Sequence, residues 1–321
     1  MTASTLRRVR VAEIERVADE IKRFRLIDAG GAALPAFSAG SHVVVTMHGE
    51  NGHVWKNPYS LISAPYDGSS YEIGVLRAAG SRGGSMFMHD HVQPGSELHI
   101  SEPVNLFPLV GQGSKHILVA GGIGITPFLA MMRELAARNS DFELHYKVRS
   151  AERGAFCDRL AAQYGARVHI YRSDRGMSLP LERILAEQPL GTHMYVCGPA
   201  AMINWAMHTG RAAGWPQENL HCERFTAPSP GKPFTVKLAR SGRDIVVGPQ
   251  QSILEALENN GIDAPYLCRG GACGQCETRV VASGGALQHN DHYLTEVEKA
   301  SGEKIMICVS RAAGSGLTLD L

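Results

Sequence analysis

Four cysteines near the C-terminus constrain this chain more than any other feature. Three of them lie in one loop, Cys268-Arg-Gly-Gly-Ala-Cys273-Gly-Gln-Cys276, and the fourth, Cys308, lies on a predicted later strand. A C-x4-C-x2-C spacing followed by one distant cysteine is typical of plant-type [2Fe–2S] sites. The loop glycines let the backbone turn tightly and direct N–H groups at sulfur. The pattern therefore predicts a [2Fe–2S] cluster held by these four thiolates.

Two other kinds of metal site fit this pattern less well. Structural zinc sites with four cysteines usually consist of two C-x2-C pairs, whereas here the fourth cysteine stands alone. A Rieske centre needs two histidine ligands, and residues 268–276 contain no histidine. The other three cysteines, Cys157, Cys197 and Cys222, lack partner spacing, and such residues are usually buried as small apolar side chains.

A glycine-rich segment in the middle of the chain is the second strong feature. Residues 117–127, ILVAGGIGITP, indicate an apolar strand, a tight turn and a helix with Pro127 at its first position. Backbone N–H groups at such a helix start can bind a pyrophosphate. A second apolar strand ends at a Cys-Gly-Pro turn, and the carboxyl ends of parallel strands share one sheet edge. The two turns predict a nicotinamide nucleotide site formed by Gly121, Gly122, Gly124, Cys197, Gly198 and Pro199.

Charged residues follow two neighbouring predicted strands in the same region. Arg149 comes after one strand, and Asp174 comes after the next. An arginine at such a position can bind a 2′-phosphate, whereas an acid can bind a ribose hydroxyl. The sequence therefore predicts that Arg149 and Asp174 contact the adenosine end, and it leaves the choice between NADH and NADPH open.

Hydrophobic periodicity divides the chain into three domains and a linker. Residues 1–108 carry short alternating runs between Gly- and Pro-rich turns, which predicts an antiparallel β-barrel. Residues 109–225 alternate apolar strands with helical segments, which is typical of an α/β domain with a parallel sheet. Residues 226–233 are rich in Pro, Ser and Gly and predict a linker. Residues 234–321 form the third domain, with strands, one helix and the cysteine loop.

Length and charge exclude several classes of protein. A chain of 321 residues suggests two or three domains, and a formal net charge of +1 provides no attraction to nucleic acid or anionic membranes. The N-terminus has no apolar signal region, and no stretch approaches the roughly 18 apolar residues of a membrane-spanning helix. We expect a monomeric, cytoplasmic protein that binds neither nucleic acid nor a membrane.

Two short motifs stand out in the predicted barrel. Residues 57–61 read Asn-Pro-Tyr-Ser-Leu, and residues 81–85 read Ser-Arg-Gly-Gly-Ser. Gly83, Gly84 and Ser85 can form a phosphate cradle at a helix start, and Arg82 adds positive charge. Taken alone, both motifs are also common in turns and in packed strands.

Together with the two nucleotide turns, the Glu223-Arg-Phe225 segment and the cysteine set, these motifs resemble the phthalate dioxygenase reductase family, which includes vanillate O-demethylase reductases. The resemblance covers nearly the whole chain. It implies a flavin barrel, a nicotinamide domain and a C-terminal α+β ferredoxin-like (β-grasp) domain, with FMN as the flavin and NADH as the usual donor.

The resemblance also implies roles for individual residues. Ser60 and Phe225 would act at the reacting ring, and Cys197 joins them because it lies at the end of an apolar strand. The expected flavin contacts are Asn57, Tyr59, Ser60, Leu61, Val75, Leu76, Arg82, Gly83, Gly84, Ser85, Thr126 and Phe225. One position departs from the family pattern, because Asn57 stands where an arginine is common. We expect Arg82 or Arg77 to supply the missing phosphate charge.

Hydride arrives as two electrons, whereas a [2Fe–2S] cluster accepts one, so the flavin must convert between them.

The resemblance implies that the acceptor is the terminal component of a two-component Rieske non-haem iron oxygenase, acting on an aromatic acid, an aryl methyl ether or a methylated amine. A cytochrome P450 is the alternative acceptor. A redox sensor or binding module is an alternative of another class, but a sensor needs no nicotinamide site.

Overall fold

The computed structural model describes residues 6–49, 52–314 and 316–321. The chain divides into two compact units, Met1–Arg224 and Phe225–Leu321. The first unit contains an antiparallel sheet followed by a parallel sheet, and the second contains a smaller mixed sheet. The multidomain fold class predicted from the sequence is confirmed. The boundaries at residues 108 and 225 stay predictions.

The antiparallel sheet has seven strands and is completed by one helix. Its members are β1 (Arg7–Ala18), β2 (Ile21–Asp28), β3 (Ser41–His48), β4 (Val54–Ser60), β5 (Tyr71–Leu76), α1 (Gly84–Asp90), β6 (Glu97–Ile100) and β7 (Val104–Asn105). The strand order is β4-β3-β6-β1-β2-β5, with β7 paired to β3. A bridge between Leu61, just after β4, and Ile73 of β5 joins the two ends of this order into a barrel.

Side-chain alternation explains which face of the barrel is buried. In β1, Val9 and Val11 are fully buried, whereas Arg8 and Arg10 are exposed. This two-residue period places the apolar side chains inside and the charged ones in solvent. The barrel interior is continuous with one face of the parallel sheet, because both belong to one core cluster.

The parallel sheet is built from strands that alternate with helices. Its members are β8 (Lys115–Gly121), α2 (Thr126–Ala137), β9 (Asp141–Val148), α3 (Cys157–Tyr164), β10 (Val168–Arg172), α4 (Leu181–Ala186), β11 (Thr192–Cys197), α5 (Ala200–Ala212) and β12 (Leu220–Glu223). The order β10-β9-β8-β11-β12 places a topological switch point between β8 and β11. Ligands of open α/β sheets bind at the carboxyl ends of the strands beside such a point.

The second unit combines a mixed five-stranded sheet with two helices and a two-stranded sheet. Its members are β13 (Phe234–Leu238), β14 (Asp244–Val247), α6 (Ile253–Asn259), β15 (Glu277–Ser283), β16 (Leu287–Gln288), α7 (Glu296–Ser301), β17 (Lys304–Met306), β18 (Arg311–Ala312) and β19 (Gly316–Leu319). Helix α6 begins with a capping box between Ser252 and Glu255, and its apolar face packs on the sheet.

The structure corrects two local predictions. Helix α2 begins at Thr126, so Pro127 is its second residue. Cys308 lies in a turn after β17 and not on a strand. Within the described residues, no helix combines the length and apolar character that a membrane crossing requires.

Candidate functional site

The two predicted nucleotide turns are in direct contact at the switch point. A Cβ atom on Gly124 would lie 2.3 Å from the carbonyl oxygen of Cys197, and one on Gly121 would lie 2.8 Å from Pro199 Cδ. Only glycine fits at such distances, because real Cβ atoms do not approach backbone so closely. The structure therefore brings together the glycine turn after β8 and the Cys-Gly-Pro turn after β11, at the edge where α/β sheets bind nucleotides.

Cys197 lies at the end of β11 beside Glu223, its register partner at the end of β12. Its side chain is fully buried. Burial is the main reason that the pKa of the Cys197 thiol lies well above the usual value, and the neighbouring Glu223 carboxyl raises it further. Burial likewise raises the pKa of Glu223 to about 8. Within the described residues, Glu223 Oε2 is inaccessible and has no hydrogen-bond partner. From the sequence, Glu223 was used only as part of the Glu223-Arg-Phe225 motif, and its carboxyl was given no chemical role.

Arg149 and Asp174 also lie side by side. The backbone N–H of Asp174 donates to the carbonyl of Arg149 at 2.9 Å, which joins the chain just after β9 to the chain just after β10. Arg172 binds both carboxylate oxygens of Asp174, at 2.7 and 3.2 Å, and this lowers the pKa of Asp174. The acid is thus ionised and held at the sheet edge, and its role toward the ribose stays a prediction.

The barrel motif at residues 57–61 runs along β4. Ser60 is buried, and its hydroxyl has no hydrogen-bond partner among the described residues. Asn57 donates from Nδ2 to the Tyr59 hydroxyl at 3.2 Å, and burial raises the pKa of Tyr59 to about 12. Leu61 is fully buried at the bridge that closes the barrel. An unpaired buried hydroxyl costs stability, so Ser60 is suited to bind a polar atom of a ligand.

The Arg82–Ser85 turn leads into α1 and lies against β4. Gly83 has a φ of 115°, and a Cβ atom there would lie 2.7 Å from Trp55 Nε1. The Trp55 indole N–H donates to the Arg82 carbonyl at 2.9 Å. A Cβ atom on Gly84 would lie 2.6 Å from Asn57 Nδ2. Trp55 therefore supports the proposed phosphate cradle, and nothing in the motif pointed to it.

Asn57 thus lies beside the turn that the family resemblance assigns to phosphate binding. Arg77, one of two cations expected to compensate for it, forms an ion pair with Asp90 at 2.8 Å. Both side chains of that pair are largely exposed, so the pair is weak.

Strand β5 connects the barrel motifs to the nucleotide turn. A Cβ atom on Gly74 would lie 2.8 Å from Thr126 Cγ2, at the start of α2. Thr126 is buried and donates from its hydroxyl to the Ile123 carbonyl at 3.0 Å. Val75, which follows Gly74 in β5, accepts at its carbonyl a 2.9 Å hydrogen bond from His89 Nε2. The predicted flavin contacts Val75, Leu76 and Thr126 therefore lie in one region, next to the glycine turn.

The four predicted ligand cysteines meet in the second unit. Cys268, Cys276 and Cys308 are buried, and the Sγ atoms of Cys276 and Cys308 lie 3.1 Å apart. A hydrogen bond with the Cys273 thiol lowers the pKa of Cys268, and the Gly270 N–H donates to the Cys268 sulfur at 3.4 Å. Four sulfur donors that converge with backbone N–H groups fit a [2Fe–2S] cluster.

The cysteine loop is held by residues that the spacing did not reveal. Gly271 and Gly274 have φ values of 72° and 76°, and the non-glycine Arg269 has a φ of 54°. Arg269 is buried, pairs with Glu258 of α6 and lies over the Tyr266 ring at 4.1 Å. Such a residue outside the usual backbone regions persists only where its surroundings hold it in place.

Comparison with known proteins supports this arrangement. Residues 236–313 match the family described as 2Fe-2S iron-sulfur cluster binding domain, and residues 101–220 match the N-terminal domain described as dimethylamine monooxygenase subunit DmmA-like. The solved structure of phthalate dioxygenase reductase is similar over 98% of both chains, with 35% identity and a TM-score of 0.88. The chain belongs to the phthalate dioxygenase reductase family. As a member of this family it is an NADH-dependent flavin iron–sulfur oxidoreductase with FMN and a [2Fe–2S] cluster.

Two curated relatives match nearly the whole length of this reductase. The heme-dependent oxidative N-demethylase beta subunit of Ectopseudomonas mendocina (strain ymp) is 46% identical over 318 residues, which cover 99% of this chain and 100% of the relative. The carnitine monooxygenase reductase subunit of Acinetobacter pittii (strain PHEA-2) is 46% identical over 310 residues, which cover 96% and 100%. The family resemblance inferred from the motifs is confirmed.

Phe225, a predicted flavin contact, is the first residue of the second unit, and 51% of its surface is exposed.

Proposed function

We propose that this protein is the reductase component of a two-component oxygenase that acts on a methylated amine, with a Rieske non-haem iron centre as the electron acceptor. The observation that carries the amine part is the full-length similarity to an N-demethylase subunit and to a carnitine monooxygenase reductase. Carnitine and dimethylamine both carry methylated nitrogen. The match of residues 101–220 to a dimethylamine monooxygenase subunit supports the same substrate class.

We assign the chain's own residues to the two ends of the hydride step. The turns after β8 and β11 would hold the nicotinamide nucleotide, and the Arg82–Ser85 turn would hold the FMN phosphate. Ser60 would donate its unpaired hydroxyl to the flavin ring and fix the ring's orientation. When bound, FMN accepts a hydride and releases single electrons, a conversion that neither NADH nor the cluster performs. The protein positions the rings and excludes water from them.

We further assign the four cysteines as the cluster ligands. Cys268, Cys273 and Cys276 would bind through the loop, and Cys308 would bind through the turn after β17. Three of these thiols are buried, which protects a bound cluster from solvent. Nothing in this arrangement requires a side chain to act as a general acid or base. The monomeric state and the cytoplasmic location remain predictions, and gel filtration tests the first of them.

A haem-containing acceptor is the second candidate. It is favoured by the similarity to the beta subunit of a heme-dependent oxidative N-demethylase over the full length of both chains. Transient electron-transfer partners bury small and mostly polar surfaces, so related reductases can serve different iron centres. The two candidates share the substrate class and differ in the metal that receives the electron.

One experiment tests the amine proposal and separates the two acceptors. The purified reductase is mixed anaerobically with NADH and either a Rieske-type carnitine oxygenase or a haem-type amine demethylase. Reduction of the Rieske cluster, followed by EPR, supports the first acceptor. A shift of the Soret band supports the second. Coupling to an aromatic-acid oxygenase alone, with no NADH-dependent turnover of any methylated amine, would contradict the proposal.

A further inference from the structure

Three side chains with metal-binding chemistry lie together on one face of the parallel sheet. Glu143 and His145 are two residues apart in β9, so their side chains point to the same face. His169 of the edge strand β10 is the register partner of His145 and points to that face as well. One ligand atom from each side chain, a carboxylate oxygen or a ring nitrogen, lies within 4.8 Å of the other two. These three residues are here called the edge trio.

Two neighbours hold the imidazole of His145 from its two ends. Its Nε2 lies 3.2 Å from Glu143 Oε2, and its Nδ1 lies 3.0 Å from the Tyr171 hydroxyl. The side chain is almost completely buried, and burial is the main reason that its pKa is lowered to about 4. His145 is therefore neutral at pH 7, the form in which histidine binds metals. Metal-binding histidines usually donate their other ring N–H to a fixed acceptor, and the Tyr171 oxygen can accept here.

His169 lies against His145 and connects the edge trio with solvent. The two imidazole rings stack with their centroids 4.8 Å apart and an angle of 10° between their planes. His169 is exposed, so an ion in solution can reach the trio from this side. Rotation of the exposed ring about χ2, a broad torsion in histidine, turns a nitrogen toward the other two ligand atoms without a change in the backbone.

Lys115 is a positively charged neighbour of the edge trio. Its Nζ lies 2.6 Å from Glu143 Oε1, whereas Glu143 Oε2 faces His145. The ion pair fixes the orientation of the carboxylate, and carboxylates that bind metals are commonly held by such hydrogen bonds. The positive charge also repels a cation, so we expect weaker binding than at a site without a lysine.

The edge trio lies away from the residues assigned to the hydride path. Glu143 is the third residue of β9 and His169 is the second residue of β10. The two nucleotide turns, in contrast, follow the carboxyl ends of β8 and β11. Neither the flavin contacts nor the cysteine loop includes a residue of the trio. The chemistry of these three side chains is therefore not explained by the reductase reaction.

We propose that the edge trio is a binding site for a divalent transition metal ion, and that Zn²⁺ is the ion it fits best. Two imidazole nitrogens and one carboxylate oxygen are a donor set that zinc accepts together with one water. Imidazole favours zinc over magnesium and calcium, which prefer oxygen ligands. The bound ion would join β9 to the edge strand β10 and stabilise the first unit, because it binds only the folded chain.

Isothermal titration calorimetry of the full-length holoprotein with zinc chloride tests this site. We expect one zinc ion to bind per chain. Tyr171→Phe should weaken binding by about tenfold or more, as loss of an outer hydrogen bond does at other metal sites. His169→Ala and Glu143→Gln remove a ligand and should weaken it further. His208→Ala, which alters an exposed histidine of α5 in the same unit, should bind zinc as the unmodified protein does.

Thermal unfolding provides a second readout that is independent of activity. Zinc should raise the Tm of the unmodified protein and of His208→Ala, and it should leave the Tm of His169→Ala unchanged. Without zinc, His169→Ala and the unmodified protein should unfold at the same temperature, because His169 is exposed. That comparison separates the loss of a site from a loss of folding.

Three outcomes would overturn the inference. Equal zinc affinity in the unmodified protein, His169→Ala and Glu143→Gln would mean that the ion binds elsewhere. A titration of the unmodified protein without a saturable zinc site would mean that the trio is only a hydrogen-bond network. Tighter binding of Mg²⁺ than of Zn²⁺ would contradict the donor set. All of these measurements are made without NADH, so they leave the proposed reductase function untouched.

Discussion

Ser60 illustrates how one side chain can indicate a ligand. Its hydroxyl is buried in the barrel and has no partner within the described part of the chain. Leaving such a group unpaired costs about 1–3 kcal/mol, so an isolated barrel has little reason to keep it. A flavin ring atom that accepts from this hydroxyl removes the cost. The unpaired hydroxyl therefore supports the flavin contact that we propose for Ser60.

Replacing Ser60 with alanine tests this role. We expect Ser60→Ala to bind FMN but to slow flavin reduction by NADH by about tenfold to a hundredfold, as loss of one oriented hydrogen-bond donor does elsewhere. Stopped-flow absorbance of the flavin band measures the rate. Ser69→Ala, at an exposed position of the same barrel, serves as the control. An unchanged rate in Ser60→Ala would show that the hydroxyl does not act on the flavin.

Glu223 should make the stability of the first unit depend on pH. Its usual pKa of 4.5 is raised to about 8 by burial, so between these values the folded chain keeps a proton that the unfolded chain releases. The free energy of unfolding therefore falls as pH rises through this range. Glu223→Gln cannot titrate, and we expect its stability to decline less over the same range.

Urea denaturation of the first unit at several pH values measures this effect. Glu187→Gln, which alters an exposed carboxyl of the same unit, should keep the decline of the unmodified protein. Equal slopes for Glu223→Gln and the unmodified protein would mean that the carboxyl is ionised in the folded state.

At the scale of elements, the contact between two turns defines the nucleotide site. The glycine turn after β8 and the Cys-Gly-Pro turn after β11 touch because Gly124 has no side chain. Gly124→Ala should push the turns apart and destabilise the first unit by about 1–3 kcal/mol, the usual cost of overpacking. We also expect a higher KM for NADH.

Steady-state kinetics and thermal unfolding together check the Gly124 prediction. Gly80→Ala is a matched control, since a Cβ atom there would meet nothing within 4 Å. A Gly124→Ala protein with normal KM and normal Tm would contradict the close contact.

Long or strongly patterned elements could be predicted from the sequence, and short ones could not. Strands β13 and β14 alternate between more buried and more exposed side chains, the pattern that predicts strands, and the two nucleotide turns meet as strand order predicts. Helix α7 escaped prediction because it has six residues and no buried ones. The strand predicted through Cys308 was wrong at its end. The observed strand stops at Met306, and Cys308 lies in the turn that follows, with its sulfur next to that of Cys276.

Side-chain partners were the least predictable part of the site. Trp55 supports the Arg82–Ser85 turn and Glu258 holds Arg269, yet both pairs join residues that are distant in sequence. Such contacts depend on tertiary packing, for which hydrophobic periodicity carries no signal. Motifs with fixed spacing, in contrast, encode their chemistry locally, as the cysteine loop does.

At the scale of the whole molecule, the chain combines three parts of one redox path. The first unit holds the proposed nucleotide and flavin sites next to each other, since Gly74 of the barrel contacts Thr126 of the glycine turn's helix. The second unit holds the four cysteines. We propose that electrons enter from NADH at the first unit and reach the cluster in the second.

An anaerobic visible absorption spectrum, recorded before and after one equivalent of NADH, tests that claim most directly. The unmodified protein should show flavin and [2Fe–2S] bands, and both should bleach on addition of NADH. A flavin band that bleaches while the cluster band persists would contradict the internal path. A colourless protein that contains zinc at the four cysteines would contradict the cluster itself.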